Sequence, residues 1–257
     1  MKLEDVLLKI QNGEMDIDSA ANEIHSMSYT EVSDFAKIDS HRMCRTGIPE
    51  AVLAEGKEPD DLVEIVKKQV DCAGRVLVTR VSAEQIAKLR SNFESDNIEW
   101  NERANAAVIN NGTQCPETGG VVGILSGGTT DVGVAEEANI VASEMGCKTI
   151  TAYDVGVAGI HRLFPQISRL KETGVDAVIV AAGREGTLPT IVSGLIDVPV
   201  IGLPVSTGYG AGGLGQAALM SMLQSCSVIS VVNIDAGFVA GAFAAQIANK
   251  VAKARNG

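Results

Sequence analysis

The residue with the widest chemical reach is Cys226. It falls in residues 214–234, LGQAALMSMLQSCSVISVVNI, where an apolar helix pattern carries a single thiol to its C-terminal end and a strand over 229–234 follows at once. A thiolate adds to electron-poor centres. This layout puts the sulfur at the mouth of an α/β sheet, where open parallel sheets build their ligand crevices. Taken by itself, a helical cysteine reads equally well as a small buried hydrophobe.

Anion-binding chemistry is suggested by three other stretches. Ser126-Gly127-Gly128-Thr129-Thr130-Asp131 enters a helix, so backbone N–H groups and threonine hydroxyls make a phosphate seat, and Thr130 or Asp131 can also serve as the N-cap. Residues 155–162, VGVAGIHR, deliver His161 and Arg162 after a strand, where the imidazole can be structural or can move a proton. Residues 35–57, FAKIDSHRMCRTGIPEAVLAEGK, crowd Asp39, His41, Arg42, Arg45 and Glu50 beside a Gly47-Ile48-Pro49 turn. Two guanidinium forks there suit a phosphate or a carboxylate, although a solvated loop would have the same composition. Gly210 to Gly215 satisfies GxGxxG, with Asp235 lying 20 residues beyond. That fingerprint belongs in a first βα turn with half a sheet still to come. Here residues 206–209 intervene and one strand and one helix remain, which sets the ordinary dinucleotide fold aside.

The elements that must position these residues fall into two regions. Residues 1–112 form the smaller, α+β domain. It holds short helices over 3–12 and 18–27, the second capped by Asp18 or Ser19, and these could be an oligomerisation arm. A helix over 59–73, a strand over 75–81, a helix over 82–93 with Ser82 and Gln85 spaced as a capping box, and a strand over 98–109 follow. Asn110-Asn111-Gly112 is the turn-rich break. Residues 119–257 alternate strictly: strands at 121–125, 149–153, 177–181, 200–205 and 229–234, each followed by a helix. Continuous apolar strands between helices imply a parallel sheet covered on both faces, a three-layer α/β domain. Right-handed crossovers bring the loops 126–131, 154–162, 182–187, 206–213 and 233–237 to one edge, where all five should converge.

Composition excludes several classes. The net charge of -11 leaves no basic face to neutralise many phosphates, so no nucleic-acid partner is expected, while one or two local arginines could still hold a small phosphorylated ligand. Five widely spaced cysteines without a CxxC pair read as reduced thiols of a cytoplasmic protein. The apolar stretch 188–205 is broken by Pro189, Asp197, Pro199 and Pro204, so no membrane span is expected.

The loops 182–189, AAGREGTLP with its preceding alanine, and 198–205, VPVIGLPV, together with those above, resemble the catalytic fold of the PurE-like aminoimidazole ribonucleotide (AIR) carboxylases and carboxyaminoimidazole ribonucleotide mutases over residues 119–250. There the loop ending in Asp131 would hold ribose and phosphate, and His161 and Arg162 would match a catalytic histidine and a phosphate-binding arginine. Gly128 replaces a phosphate-binding serine of that family, Glu185 an alanine and Thr187 a histidine. The added N-terminal domain and Cys226 depart further. These departures resemble the LarB family of nickel-pincer nucleotide biosynthesis, through His41-Arg42, Arg45, Gly47, Pro49-Glu50, Gly56-Lys57, residues 155–163 and 183–189, and Ser225-Cys226 through Asn233-Ile234-Asp235 to Gly237-Phe238.

That resemblance implies carboxylation of the pyridinium ring of nicotinic acid adenine dinucleotide at C5 and hydrolysis of its phosphoanhydride, giving pyridinium-3,5-biscarboxylic acid mononucleotide and AMP. Cys226 would add at ring C4, Glu185 would take the C5 proton, and His161 would hold CO2 or share the proton transfer. Ser126, Gly128, Thr129, Thr130, Asp131, Arg162, Gly183, Arg184, Asp235, His41, Arg42 and Arg45 are the candidate substrate contacts. A magnesium ion is expected to assist anhydride cleavage, with Asp131 or Asp235 as its carboxylate contact; no tightly bound cofactor is expected, and CO2 or bicarbonate is the co-substrate. Cys226 at a helix C-terminus would meet the negative end of the macrodipole, so the substrate's own cation would have to activate the thiol. The fold it resembles is associated with octamers, so a homo-oligomer is expected. The alternatives are a purine-pathway carboxylase or mutase, and a regulatory protein that binds an adenine nucleotide without turnover.

Overall fold

Residues 3–26, 29–32, 36–39 and 42–257 are described by the structure, a computed structural model. His41 and Phe35 lie outside the described residues. The chain divides into two compact units, Met1–Glu99 with Val108–Thr113, and Trp100–Ala107 with Gln114–Gly257.

The first unit begins with helices α1 (Leu3–Gln11) and α2 (Ile17–Ser26). The cap of α2 is Asp16 rather than Asp18 or Ser19: its carboxylate accepts the Ser19 N–H at 2.7 Å, and that bond holds its pKa below the ordinary carboxylate value. Strands β1 (Thr30–Val32) and β2 (Ala36–Ile38) pair antiparallel, and a single helical turn, α3 (Arg42–Thr46), follows. Next come β3 (Ala51–Leu53), α4 (Pro59–Ala73), β4 (Arg75–Thr79), α5 (Ala83–Asn92), β5 (Ile98–Asn101) and β6 (Ala106–Asn110). The last four strands form a sheet in the order β3-β4-β6-β5. Helix α4 starts on Pro59 and ends at Gly74, whose φ of 79° permits the left-handed cap. It buries Leu62, Val63, Ile65, Val66 and Val70 along one stripe. The Ser82–Gln85 capping box of α5 is present in both directions.

The single strand expected over 98–109 is a hairpin. Asn101 Oδ1 accepts the N–H groups of Arg103 and Ala104, both at 3.1 Å, and Asn105 takes a φ of 47°. An asparagine side chain that mimics a backbone turn reverses the chain without breaking the polar–apolar alternation, so the pattern alone did not reveal it.

In the second unit β7 (Val121–Ser126), α6 (Val132–Glu144), β8 (Lys148–Ala152), α7 (Leu163–Thr173), β9 (Ala177–Ala182), α8 (Leu188–Ser193), β10 (Val200–Pro204), α9 (Gln216–Leu223), β11 (Ser230–Val231) and α10 (Gly237–Asn256) alternate as expected. All strands are parallel, in the order β11-β10-β9-β7-β8. The central strand, β9, is buried along its whole length, as the apolar run Ala-Val-Ile-Val-Ala-Ala requires. One face is covered by α6 and α10, whose close approach rests on small residues: a Cβ on Gly241 would stand 2.5 Å from the Ala138 carbonyl oxygen. The other carries a core of Leu125, Leu163, Ile167, Leu170, Val180, Leu188, Val192 and Met222 beneath α7, α8 and α9. The unit is thus the three-layer α/β fold, and its strand order reverses between β7 and β9, the switch point at which such sheets open a crevice.

The last strand is shorter than its apolar pattern. It pairs at only Ser230 and Val231, on the sheet edge, and Asn233 turns its side-chain oxygen onto the Ile234 N–H at 2.9 Å. No described helix is long and apolar enough to cross a membrane.

Candidate functional site

At the C-terminal ends of β7, β8, β9 and β10 lies a cleft of about 660 Å³, within the roughly 300–1,000 Å³ of small-molecule sites. Four of the five expected loops line it: Gly127 to Asp131, Asp154 to Arg162, Ala182 to Leu188, and Thr207 to Tyr209. The fifth loop, 233–237, contributes no lining residue.

The first loop leaves β7 as a 3-10 turn, Thr129–Asp131, that runs into α6. Gly128, Thr129 and Thr130 line the cleft, as a phosphate seat at a helix start requires. Asp131 also lines it and stands at the N-cap position of α6, but its carboxylate makes no cap bond to that helix. Its Oδ2 accepts the Gly128 N–H at 2.8 Å and its Oδ1 accepts the Thr207 hydroxyl at 2.9 Å, so one buried carboxylate ties the loop after β7 to the loop after β10. Burial raises its pKa, and the bonds from Gly128, Thr207 and Gly183 pull it back. Ser126 is fully buried and lines nothing; its hydroxyl donates to the Gly128 carbonyl and accepts the Asp154 N–H, each at 3.3 Å. It braces the seat instead of touching a ligand.

Two glycines allow the loops to close on one another. A Cβ on Gly156 would lie 2.5 Å from the Gly127 carbonyl oxygen, and one on Gly183 would lie 2.4 Å from that of Thr207 and 3.1 Å from Asp131 Oδ1. Arg162 lines the cleft, ion-paired to Asp154. His161, its neighbour on the short helical turn Val157–Arg162, is exposed and is not part of the lining. Arg184 and Glu185 both line the cleft on the loop after β9. Arg184 has a φ of 47° and stacks its guanidinium 4.4 Å from the ring centre of Tyr209. Tyr209 and Thr207 were not singled out from the sequence, and Thr187 was noted only as standing in place of a histidine. The only signal for the first two was their place in a Gly-rich loop after a strand.

Cys226 is exposed but is not among the residues that line the cleft. Ala218, in the first turn of α9, stands against Gly186, and the hydroxyls of Ser225 and Ser227, on either side of the thiol, bond Thr190 in the first turn of α8, two residues beyond Leu188 of the cleft wall. The sulfur therefore sits beside the start of α8 without being part of the cleft wall. It also lies beyond Leu223, the last residue of α9, in a bend, so the dipole penalty expected for a thiol in the last turn falls away.

Asp235 accepts the Ser206 N–H at 2.9 Å and has no place on the cleft wall. Neither Asp131 nor Asp235 fits a dedicated magnesium site: each is turned onto protein donors. Among the described residues no group of three or more His, Cys, Asp or Glu side chains gathers to hold an ion. In the first unit, Arg42 pairs with Glu50 at 3.4 Å and Arg45 with Asp39. Those guanidiniums are engaged within their own unit, and the hydrogen bond to Asp39 raises the Arg45 pKa further.

Residues 121–256 match the AIR carboxylase family, and residues 29–111 match the LarB/PurE-like N-terminal domain. The chain belongs to the AIR carboxylase family. Its N-terminal match makes it a LarB/PurE-like member, in which the parallel sheet and its cleft form the carboxylase-like portion. It is 43% identical over 252 residues to the uncharacterized protein MJ0165 of Methanocaldococcus jannaschii, covering 96% of each chain. The N5-carboxyaminoimidazole ribonucleotide mutase of Thermotoga maritima is 28% identical over 130 residues, 49% of this chain and 73% of that protein. A mutase of the same name from M. jannaschii is 32% identical over 127 residues, 48% of this chain and 76% of its own length.

Proposed function

We propose that this member of a carboxylase and mutase family carboxylates the pyridinium ring of nicotinic acid adenine dinucleotide at C5 and hydrolyses the phosphoanhydride, releasing pyridinium-3,5-biscarboxylic acid mononucleotide and AMP. The observation that carries the reading is Glu185 on the wall of a cleft that also holds a phosphate seat and two arginines. A pyridinium carbon is too electron-poor to attack CO2. Addition of the Cys226 thiolate at C4 moves an electron pair onto the ring nitrogen and leaves C5 as the nucleophilic carbon of an enamine. C5 then bonds to CO2, Glu185 removes the C5 proton, and the nitrogen pair expels the thiolate to restore the aromatic ring. Water cleaves the anhydride, while Arg162 and the loop residues Thr129 and Thr130 on the cleft wall meet the charge that develops on phosphate.

Within one chain the thiol is not part of the cleft wall. The reading is completed by a homo-oligomer in which Cys226 of one copy enters the cleft of another. Met220, Leu223 and Val228, all exposed around the thiol and the last 94% so, are the apolar surface that such an association would cover.

Incubating the protein with the dinucleotide, magnesium and bicarbonate should yield a dicarboxylated mononucleotide and AMP by mass spectrometry. Absence of both products would refute the reading. The mutases among the relatives favour a second one, isomerisation of a carboxylated aminoimidazole ribonucleotide. Under it, His161→Ala would abolish activity and Cys226→Ala would not.

A further inference from the structure

We infer that Tyr209 is the platform on which the adenine of the bound nucleotide stacks, with Arg184 backing the ring. Aromatic side chains are scarce in this chain, and Tyr209 is its most exposed aromatic ring among the described residues, at 79%. An exposed ring on a surface loop is ordinarily free to turn. This one has the Arg184 guanidinium 4.4 Å from its centre and lies on the rim of the cleft. The arginine is itself fixed by a left-handed backbone at φ 47°, between Gly183 and Gly186, both of which approach neighbouring backbone closely. A cation on one face of a phenol orients the ring and leaves the other face open.

The same cleft is also lined by the anion seat, Gly128 to Thr130 with Arg162. A ligand that carries both a phosphate and a flat ring matches that pair of features. The Proposed function supplies two such rings, and the inference rests on it only in taking a dinucleotide as the ligand. Electrostatics separates them. A second cation on a ring that already carries a guanidinium would face like charge across it, whereas adenine is neutral and stacks at no such cost. The platform is therefore assigned to the AMP half, which leaves the pyridinium half for Glu185.

Titration calorimetry on the full chain with AMP, ribose 5-phosphate and nicotinic acid mononucleotide tests this without turnover. The wild-type protein should bind AMP more tightly than ribose 5-phosphate. Tyr209→Ala should weaken AMP by about tenfold and leave the other two within about twofold, and Tyr209→Phe should retain the AMP affinity. Because the side chain is exposed, its removal leaves the core intact. No wild-type preference for AMP over ribose 5-phosphate, an unchanged AMP affinity in Tyr209→Ala, an equal loss for ribose 5-phosphate, or a loss confined to the nicotinic mononucleotide would each overturn the assignment. A protein that passes this test yet makes no dicarboxylated product would keep the platform and lose the proposed reaction.

Discussion

At Asp131 two forces act in opposite directions. Burial favours the neutral acid, while the Gly128 N–H and the Thr207 hydroxyl favour the carboxylate, and burial prevails, raising the pKa above its ordinary 3.8. A group that holds its proton more tightly when folded contributes stability that is present below its unfolded pKa and is lost as pH rises through the folded value. Asp131→Asn removes that titration. Its urea-unfolding free energy should decline less than wild type as pH rises from about 4 through the raised value, and an unaltered pH slope would show that Asp131 titrates as an ordinary acid. Alkylation should separate the thiols in a similar way. Burial, the largest cause, pushes the Cys147 thiol up to about 11, so iodoacetamide at neutral pH should label Cys226 and spare Cys147. For the reaction, Glu185→Gln should lower kcat by about 10²–10⁴ with KM little changed, as loss of a proton acceptor does.

Among the elements, the loops after β7, β9 and β10 act as one assembly because Asp131, Gly183 and Thr207 meet. Gly183→Ala would drive a methyl against the Thr207 carbonyl. It should cost about 1–3 kcal/mol of stability and weaken AMP binding, measured by thermal shift with and without AMP; wild-type stability in that variant would show that the loops have slack. The same elements mark how far the sequence could be read. Apolar runs located the parallel sheet and its helices to within a few residues, apart from the last strand, which pairs only at Ser230 and Val231, because in a buried sheet burial alone selects Val, Ile and Ala. The loop 126–131 and Glu185 follow strands directly, and residues 127–131 and Glu185 reach the cleft wall. The hairpin at Asn101–Asn105 was hidden, since an asparagine turn leaves the alternation intact. Ser126 and Asp235 were named as ligand contacts although their polar atoms brace backbone, a distinction that depends on which way a side chain turns. Cys226 is off the cleft wall, which motif order, giving only the strand a residue precedes, does not settle.

For the molecule as a whole, the proposed chemistry calls for Cys226, which is not part of the cleft wall, to be supplied by a second copy. Coexpressing Cys226→Ala with Glu185→Gln chains should restore about a quarter of wild-type activity over a random population of pairs, since about half of the pairs are mixed and one of the two sites in each mixed pair keeps both groups. Activity no higher than that of either variant alone would place thiol and acid in the same copy. The central claim, that the sulfur joins the ring before carbon dioxide does, has a more direct test. Glu185→Gln should stall the reaction before the C5 proton leaves. Mass spectrometry of that variant, acid-quenched with nicotinic acid adenine dinucleotide and bicarbonate, should find the carboxylated dinucleotide on the peptide bearing Cys226 and on no other. An unmodified Cys226 peptide, with product still forming in the wild-type protein, would contradict the account.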